Sequence, residues 1–86
     1  MVNPVYRTPA WQALRLRVLE RDGFRCQIRR PGCLGAATAA DHIIELQDGG
    51  EPYDLANVQA ACRPCNSAKR NERYAERVRR RQVRQW

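Results

Sequence analysis

Four cysteines, Cys26, Cys33, Cys62 and Cys65, set the strongest limit on what this 86-residue chain can fold into. A chain this short rarely stabilises itself by apolar packing alone and usually adds a metal, disulfides or a partner. Hydrophobic residues make up 43% of the chain, but much of that is alanine, and Met1, Val2, Val5, Val83 and Trp86 lie near the termini. The core is therefore expected to be thin, with the cysteines supplying stability as a metal site. Cys62-Arg63-Pro64-Cys65 places two thiols two residues apart just before a helix, the arrangement of half a zinc knuckle. Two thiolates so spaced reach one ion at about 2.3 Å, and the helix N-terminus favours their charge. Six residues separate Cys26 from Cys33, wider than the usual two to four, yet a longer loop adds only fractions of a kcal/mol. The four together are expected to close a tetrahedral structural Zn²⁺ site with no position open to substrate. Four reduced thiols without metal, or disulfides, are the alternatives.

No apolar run approaches the roughly 20 residues of a membrane span, and the N-terminus lacks the apolar stretch of a secretory signal. The expectation is a soluble, cytoplasmic protein with no membrane partner, in a compartment where thiols stay reduced.

Charge divides the chain into three parts. Residues 1–40 carry seven Arg against Glu20 and Asp22, a net +5. Residues 41–62 carry Asp41, Glu45, Asp48, Glu51 and Asp54 and no Lys or Arg, a net −5. Residues 63–86 carry nine basic residues against Glu72 and Glu76, a net +7, which is also the balance of the whole chain. An acidic island between basic flanks suits a divalent cation beside surfaces that attract phosphate, although acidic loops of small proteins are also commonly just solvated.

Thr8-Pro9 reads as an N-cap and first helical residue, and Trp11, Leu14 and Val18 recur at helical spacing, so a helix is predicted over about 9–22. Its outer side carries Arg15, Arg17 and Arg21. Phe24 to Ile28 reads as a short strand before the turn at Arg30-Pro31-Gly32-Cys33, and Ala40 to Leu46 as a second strand. A last helix follows Cys65, with Tyr74 and Val78 four apart, and beyond Val78 the Arg-rich end has little apolar content to order it. Arg77, Arg79, Arg80, Arg81 and Arg84 read together as a DNA-gripping arm or a short disordered end. The whole is expected to form a single domain, 1–86, with a core over about 24–70 and a basic helix or tail over about 71–86.

The only histidine, His42, follows Asp41. On a strand the two side chains leave opposite faces, so one could ligate a metal while the other reaches substrate beside it. Fourteen residues separate His42 from Asn57, and eight separate Asn57 from Asn66, which opens the last helix and whose amide oxygen suits a hard cation.

Asp41-His42, Gly49-Gly50, Asn57, Cys62-Arg63-Pro64-Cys65-Asn66 and Lys69, in this order and at these intervals, resemble the motif of the HNH endonucleases. The resemblance covers about residues 24–70. It implies an α+β fold with a small ββα-metal (His-Me finger) core, joined in this chain to a four-cysteine zinc knuckle and an N-terminal helix. It further implies a DNA endonuclease in which His42 is the general base, Asn57 shapes the hairpin loop that places it, and Asp41 ligates a catalytic divalent ion. Asn66 stands where the last motif histidine would be, an HNN variant, and as second ligand it should favour Mg²⁺ or Mn²⁺ over softer ions. Products with 5′-phosphate and 3′-hydroxyl ends are implied. Lys69, with Arg63, Arg70 and Arg73, is expected to meet backbone phosphates of double-stranded DNA. The resemblance is to small, stand-alone, phage-type members, which implies packaging (terminase) proteins as further partners in a bacterial or phage-infected host cell. A reading from another class accounts equally for the cysteines and the +7 charge: a zinc-stabilised DNA-binding module or packaging adaptor without catalysis.

Overall fold

Helix α1 spans Pro9–Arg21 and starts where the sequence predicts, because Thr8 Oγ1 accepts the Trp11 N–H at 3.1 Å and Pro9 needs no donor partner. The computed structural model describes residues 4–83, with side chains described through Arg79; Met1, Val2, Arg84 and Trp86 lie outside the described residues. Before α1, residues Pro4–Arg7 form one 3-10 turn.

A two-stranded antiparallel sheet follows, β1 (Ala39–His42) against β2 (Val58–Ala61), with His42 opposite Val58 and Asp41 opposite Gln59. Helix α2, Arg63–Val83, completes the order. The fold is thus α+β. No helix among the described residues is long and apolar enough to cross a membrane.

Trp11, Leu14, Val18 and Leu19 from α1 pack on Ala37, Val58 and Ala60, which together are the buried members, among the described residues, of the main apolar cluster. The helical periodicity of the sequence is realised as the buried stripe. Two of the seven members are alanines, so each contributes little buried area. Arg15 and Arg21 are not idle surface charges. Arg15 donates to the Thr38 carbonyl, and Arg21 donates to the Leu55 and Val58 carbonyls, pinning α1 to the sheet.

The expected strand over Phe24–Ile28 does not form. Only a single bridge, Arg25 to Ala36, survives there. Phe24 and Arg29 both take positive φ, 56° and 58°, so the chain curls around the cysteines instead of extending. The expected Ala40–Leu46 strand ends early, at His42. The Ile43 N–H still reaches the Asn57 carbonyl, but the Ile44 N–H turns to the Asn57 side chain at 2.8 Å, and Leu46–Asp48 closes into a 3-10 turn. The last helix starts before the second cysteine pair is complete, at Arg63 rather than after Cys65, and continues past Val78 to Val83.

Candidate active site and cysteine cluster

Cys26, Cys62 and Cys65 form a second buried cluster, with Cys33 packed against it. All four Sγ atoms lie within 4.8 Å of one another, and Cys33 and Cys62 are 3.8 Å apart. Four sulfurs at about 2.3 Å from one ion define tetrahedral edges of about 3.8 Å, so the cluster fits a tetrahedral metal. Backbone N–H groups of Arg30 and Gly35 donate to Cys65 and Cys33, each at 3.4 Å. Burial pushes the Cys65 thiol up to about 12, whereas at Cys26 burial is outweighed by N–H donors from Arg29, Cys62 and Ile28, which bring it down to about 6. Four thiolates this close repel one another, and a bound cation would compensate their charge. The wide Cys26–Cys33 loop is accommodated by positive φ at Arg29 and Gly32.

Asp41 and His42, the last two residues of β1, face different elements. Asp41 points to α2, where its Oδ2 accepts from Lys69 Nζ at 2.7 Å and from its cross-strand neighbour Gln59 at 3.0 Å. His42 points to α1: its ring stacks on Trp11 with centroids 4.7 Å apart. The alternation expected of a strand is present, and the two side chains still share one space. A cavity of about 590 Å³ runs along the open edge of β1 and is lined by Asp41, His42, Asn66, Arg70 and Tyr6 among others.

His42 is 4% exposed and both its ring nitrogens are engaged. Nε2 lies 3.0 Å from the Pro52 carbonyl, which can only accept, so Nε2 carries the proton. In the neutral ring Nδ1 is then the lone pair, and the Tyr6 hydroxyl donates to it at 3.1 Å.

The loop that carries Pro52 is shaped by Asn57. This buried amide accepts the Ile44 N–H at 2.8 Å and donates to the Ile44 and Glu51 carbonyls, each at 3.1 Å. Asn57 thus closes the hairpin loop from inside, one residue away from the carbonyl that orients His42. Gly50 packs under the same amide; a Cβ there would overlap the Ile44 carbonyl. Gly49 takes φ 89° in the preceding turn, so the Gly49-Gly50 pair is required twice over.

The basic side chains divide. Lys69 turns inward, only 13% exposed, bridging Asp41 and the His42 carbonyl. Arg63 is exposed and Arg70 is exposed on the cavity. Arg73 lies 3.8 Å from Asp48, and Arg77 grips Glu45 at 2.6 Å, tying α2 across the acidic loop. Tyr6, Trp11 and Gln59 are site residues that sequence reasoning did not find. Trp11 reads as plain core, and Gln59 becomes a neighbour of Asp41 only once the strand register is known.

A two-strand hairpin followed by a helix, with a histidine at the strand end clamped by an asparagine-shaped loop, defines the ββα class of nuclease core. The HNH endonuclease family matches residues 25–72, and the chain belongs to that family. It is 44% identical over 55 residues to the Gene 4 protein of Mycobacterium phage L5 and 40% identical over 55 residues to that of Mycobacterium phage D29. Each match covers 64% of this chain and 52% of the relative, so the chain spans about half the length of these curated relatives. Among solved structures, the HNH endonuclease of the deep-sea thermophilic bacteriophage GVE2 with manganese ion superposes with a TM-score of 0.62 at 32% identity. That match covers 87% of this chain and 79% of the other.

Proposed function

We propose that the protein is a metal-dependent DNA endonuclease that hydrolyses phosphodiester bonds with His42 as general base. The observation that carries this reading is the engagement of His42: Nε2–H is anchored on the Pro52 carbonyl, leaving Nδ1 as the proton acceptor of the ring, met by the Tyr6 hydroxyl at the cavity that both residues line. Asn57 acts through the loop, holding that carbonyl in place.

Asp41 and Asn66 hold the catalytic divalent ion. One carboxylate and one amide oxygen are hard donors, and Mg²⁺ or Mn²⁺ commonly takes few protein ligands and completes its shell with water and phosphate. When bound, such an ion stabilises charge on the scissile phosphate and the leaving oxygen. Lys69 keeps Asp41 in position and compensates its charge. Arg70, at the cavity, and Arg63 and Arg73 along α2 meet backbone phosphates of double-stranded DNA, contacts that set affinity and salt sensitivity more than sequence choice. The cysteines hold Zn²⁺ as a structural ion, well away in role from the chemistry. Products carry 5′-phosphate and 3′-hydroxyl ends. The manganese in the bacteriophage GVE2 relative and the phage origin of the other relatives support a metal-dependent nuclease. Action in the host cytoplasm, with packaging (terminase) proteins as partners, is part of the same proposal.

The test is nicking of supercoiled plasmid with Mg²⁺ or Mn²⁺, with and without chelator. Wild type is expected to nick only with metal, and His42→Ala to bind DNA without cutting it. Cutting by His42→Ala removes the base assignment; metal-replete wild type that binds but never cuts points to the non-catalytic DNA-binding module instead.

A further inference from the structure

We propose that Tyr6 is a catalytic residue of this site, relaying a proton from the reacting water to His42. The inference rests on the general-base reading above and adds the path by which that base reaches its substrate. His42 is nearly sealed: Trp11 covers one ring face, Pro52 takes Nε2, and the Tyr6 hydroxyl takes Nδ1 at 3.1 Å. Tyr6 itself is 37% exposed and lines the cavity. The hydrogen-bonded route from cavity to imidazole therefore passes through the phenol.

The phenol is held for this task. Its ring meets Trp11 edge-on at 5.1 Å, and the 3-10 turn that carries it is anchored by Thr8, whose Oγ1 also meets the Tyr53 hydroxyl at 3.1 Å, beside Pro52. The two clamps on the imidazole are thus joined to each other. Burial raises the Tyr6 pKa above 10.0, with Arg70 opposing and Asp41 and Glu45 reinforcing, so the hydroxyl keeps the proton it donates. Tyr6 lies outside the residues 25–72 on which the family match rests.

In the step, water gives a proton to Tyr6 Oη as the Tyr6 proton passes to Nδ1, and the hydroxide so formed attacks phosphorus. The P–O3′ bond breaks, and the leaving oxygen takes a proton from solvent. The imidazolium returns its proton to solvent through the same phenol, so Tyr6 and His42 end as they began.

The experiment is single-turnover cleavage of supercoiled DNA with Mn²⁺ by wild type, Tyr6→Phe and His42→Ala, with rates followed across H₂O–D₂O mixtures. Tyr6→Phe keeps the ring on Trp11 and is expected to stay folded, melting slightly below wild type for the lost hydrogen bond, and to bind DNA as wild type does, yet to cleave about a hundredfold more slowly, the lower end of general acid–base contributions. The wild-type rate should bow downward with deuterium fraction, since two protons move together, whereas the residual Tyr6→Phe rate should fall on a straight line. A Tyr6→Phe protein as fast as wild type or faster overturns the relay, because the phenol then only covers the lone pair. A straight line for wild type overturns it without recourse to any variant. Cleavage by His42→Ala sinks the base assignment itself; an inactive His42→Ala beside an unimpaired Tyr6→Phe sinks the relay alone.

Discussion

Replacing Asn57 by aspartate changes one NH₂ group to oxygen and should cost more than deleting the side chain. Asn57 makes three hydrogen bonds, one as acceptor and two as donor, in a buried loop. At about 1 kcal/mol net for each, Asn57→Ala should lose about 3 kcal/mol. Asn57→Asp keeps the bond from the Ile44 N–H but forfeits both donated bonds, about 2 kcal/mol. Its second oxygen then faces the Ile44 and Glu51 carbonyls, and desolvating the carboxylate adds several kcal/mol more. Against a total stability of about 4–13 kcal/mol for a domain of this size, that is a severe loss at pH 7. The site raises the pKa of this new carboxyl in the folded state. The extra destabilisation is therefore fully present at neutral pH and fades as pH falls through that raised value, when a protonated oxygen can donate again. Urea denaturation of wild type, Asn57→Ala and Asn57→Asp at pH 7 and at mildly acidic pH measures both effects, and nicking assays should show both variants inactive because the Pro52 carbonyl loses its support. If Asn57→Asp proves within 1 kcal/mol of wild type at pH 7, or more stable than Asn57→Ala, the hydrogen-bond assignment of this loop is wrong.

Cys62→Ala should abolish binding of one equivalent of metal and unfold the domain, because zinc-site free energies of about 10–16 kcal/mol match or exceed the stability of a domain this size. Elemental analysis alongside far-UV circular dichroism reads both, and a well-folded, metal-free variant would contradict the role given to the cluster. Asp22 is held below its ordinary value of 3.8 mainly by the hydrogen bond from Arg21, with burial opposing and the Ala60 N–H adding. A depressed carboxylate stabilises above its unfolded value and loses that contribution as pH falls through the folded one. The stability gap between wild type and Asp22→Asn should therefore be wide at pH 7 and close below about pH 3.8; a gap independent of pH in denaturation curves would refute the pairing.

Much of the chain's local chemistry is legible without coordinates. The cap at Thr8, the apolar stripe of α1 and the helix opened by the second cysteine pair depend on near neighbours, and periodicity and turn chemistry report them directly. The spacing of Asp41, His42, Asn57 and Asn66 reads as one site; Asp41, His42 and Asn66 line one cavity, and Asn57 closes the hairpin loop from inside. Where reasoning from sequence failed, partners distant in the chain decided. Phe24–Ile28 looks like a strand because its residues favour extension, but the cysteines pull that segment into a curl around their cluster. Strand β1 stops at His42 because a side chain thirteen positions beyond Ile44 takes the Ile44 N–H in place of a sheet partner.

The amino-acid order alone determines which chemistry this protein carries, because thiols, imidazole, carboxylate and amides at given intervals constrain what one short chain can bind. Which of those groups touch was decided only by the tertiary structure. Lys69, a basic residue suited to DNA, turns inward onto Asp41, and Tyr6, in no motif, meets Nδ1 of His42. Contacts 28 and 36 residues apart arise only when helices dock on the sheet, and no local pattern encodes that docking.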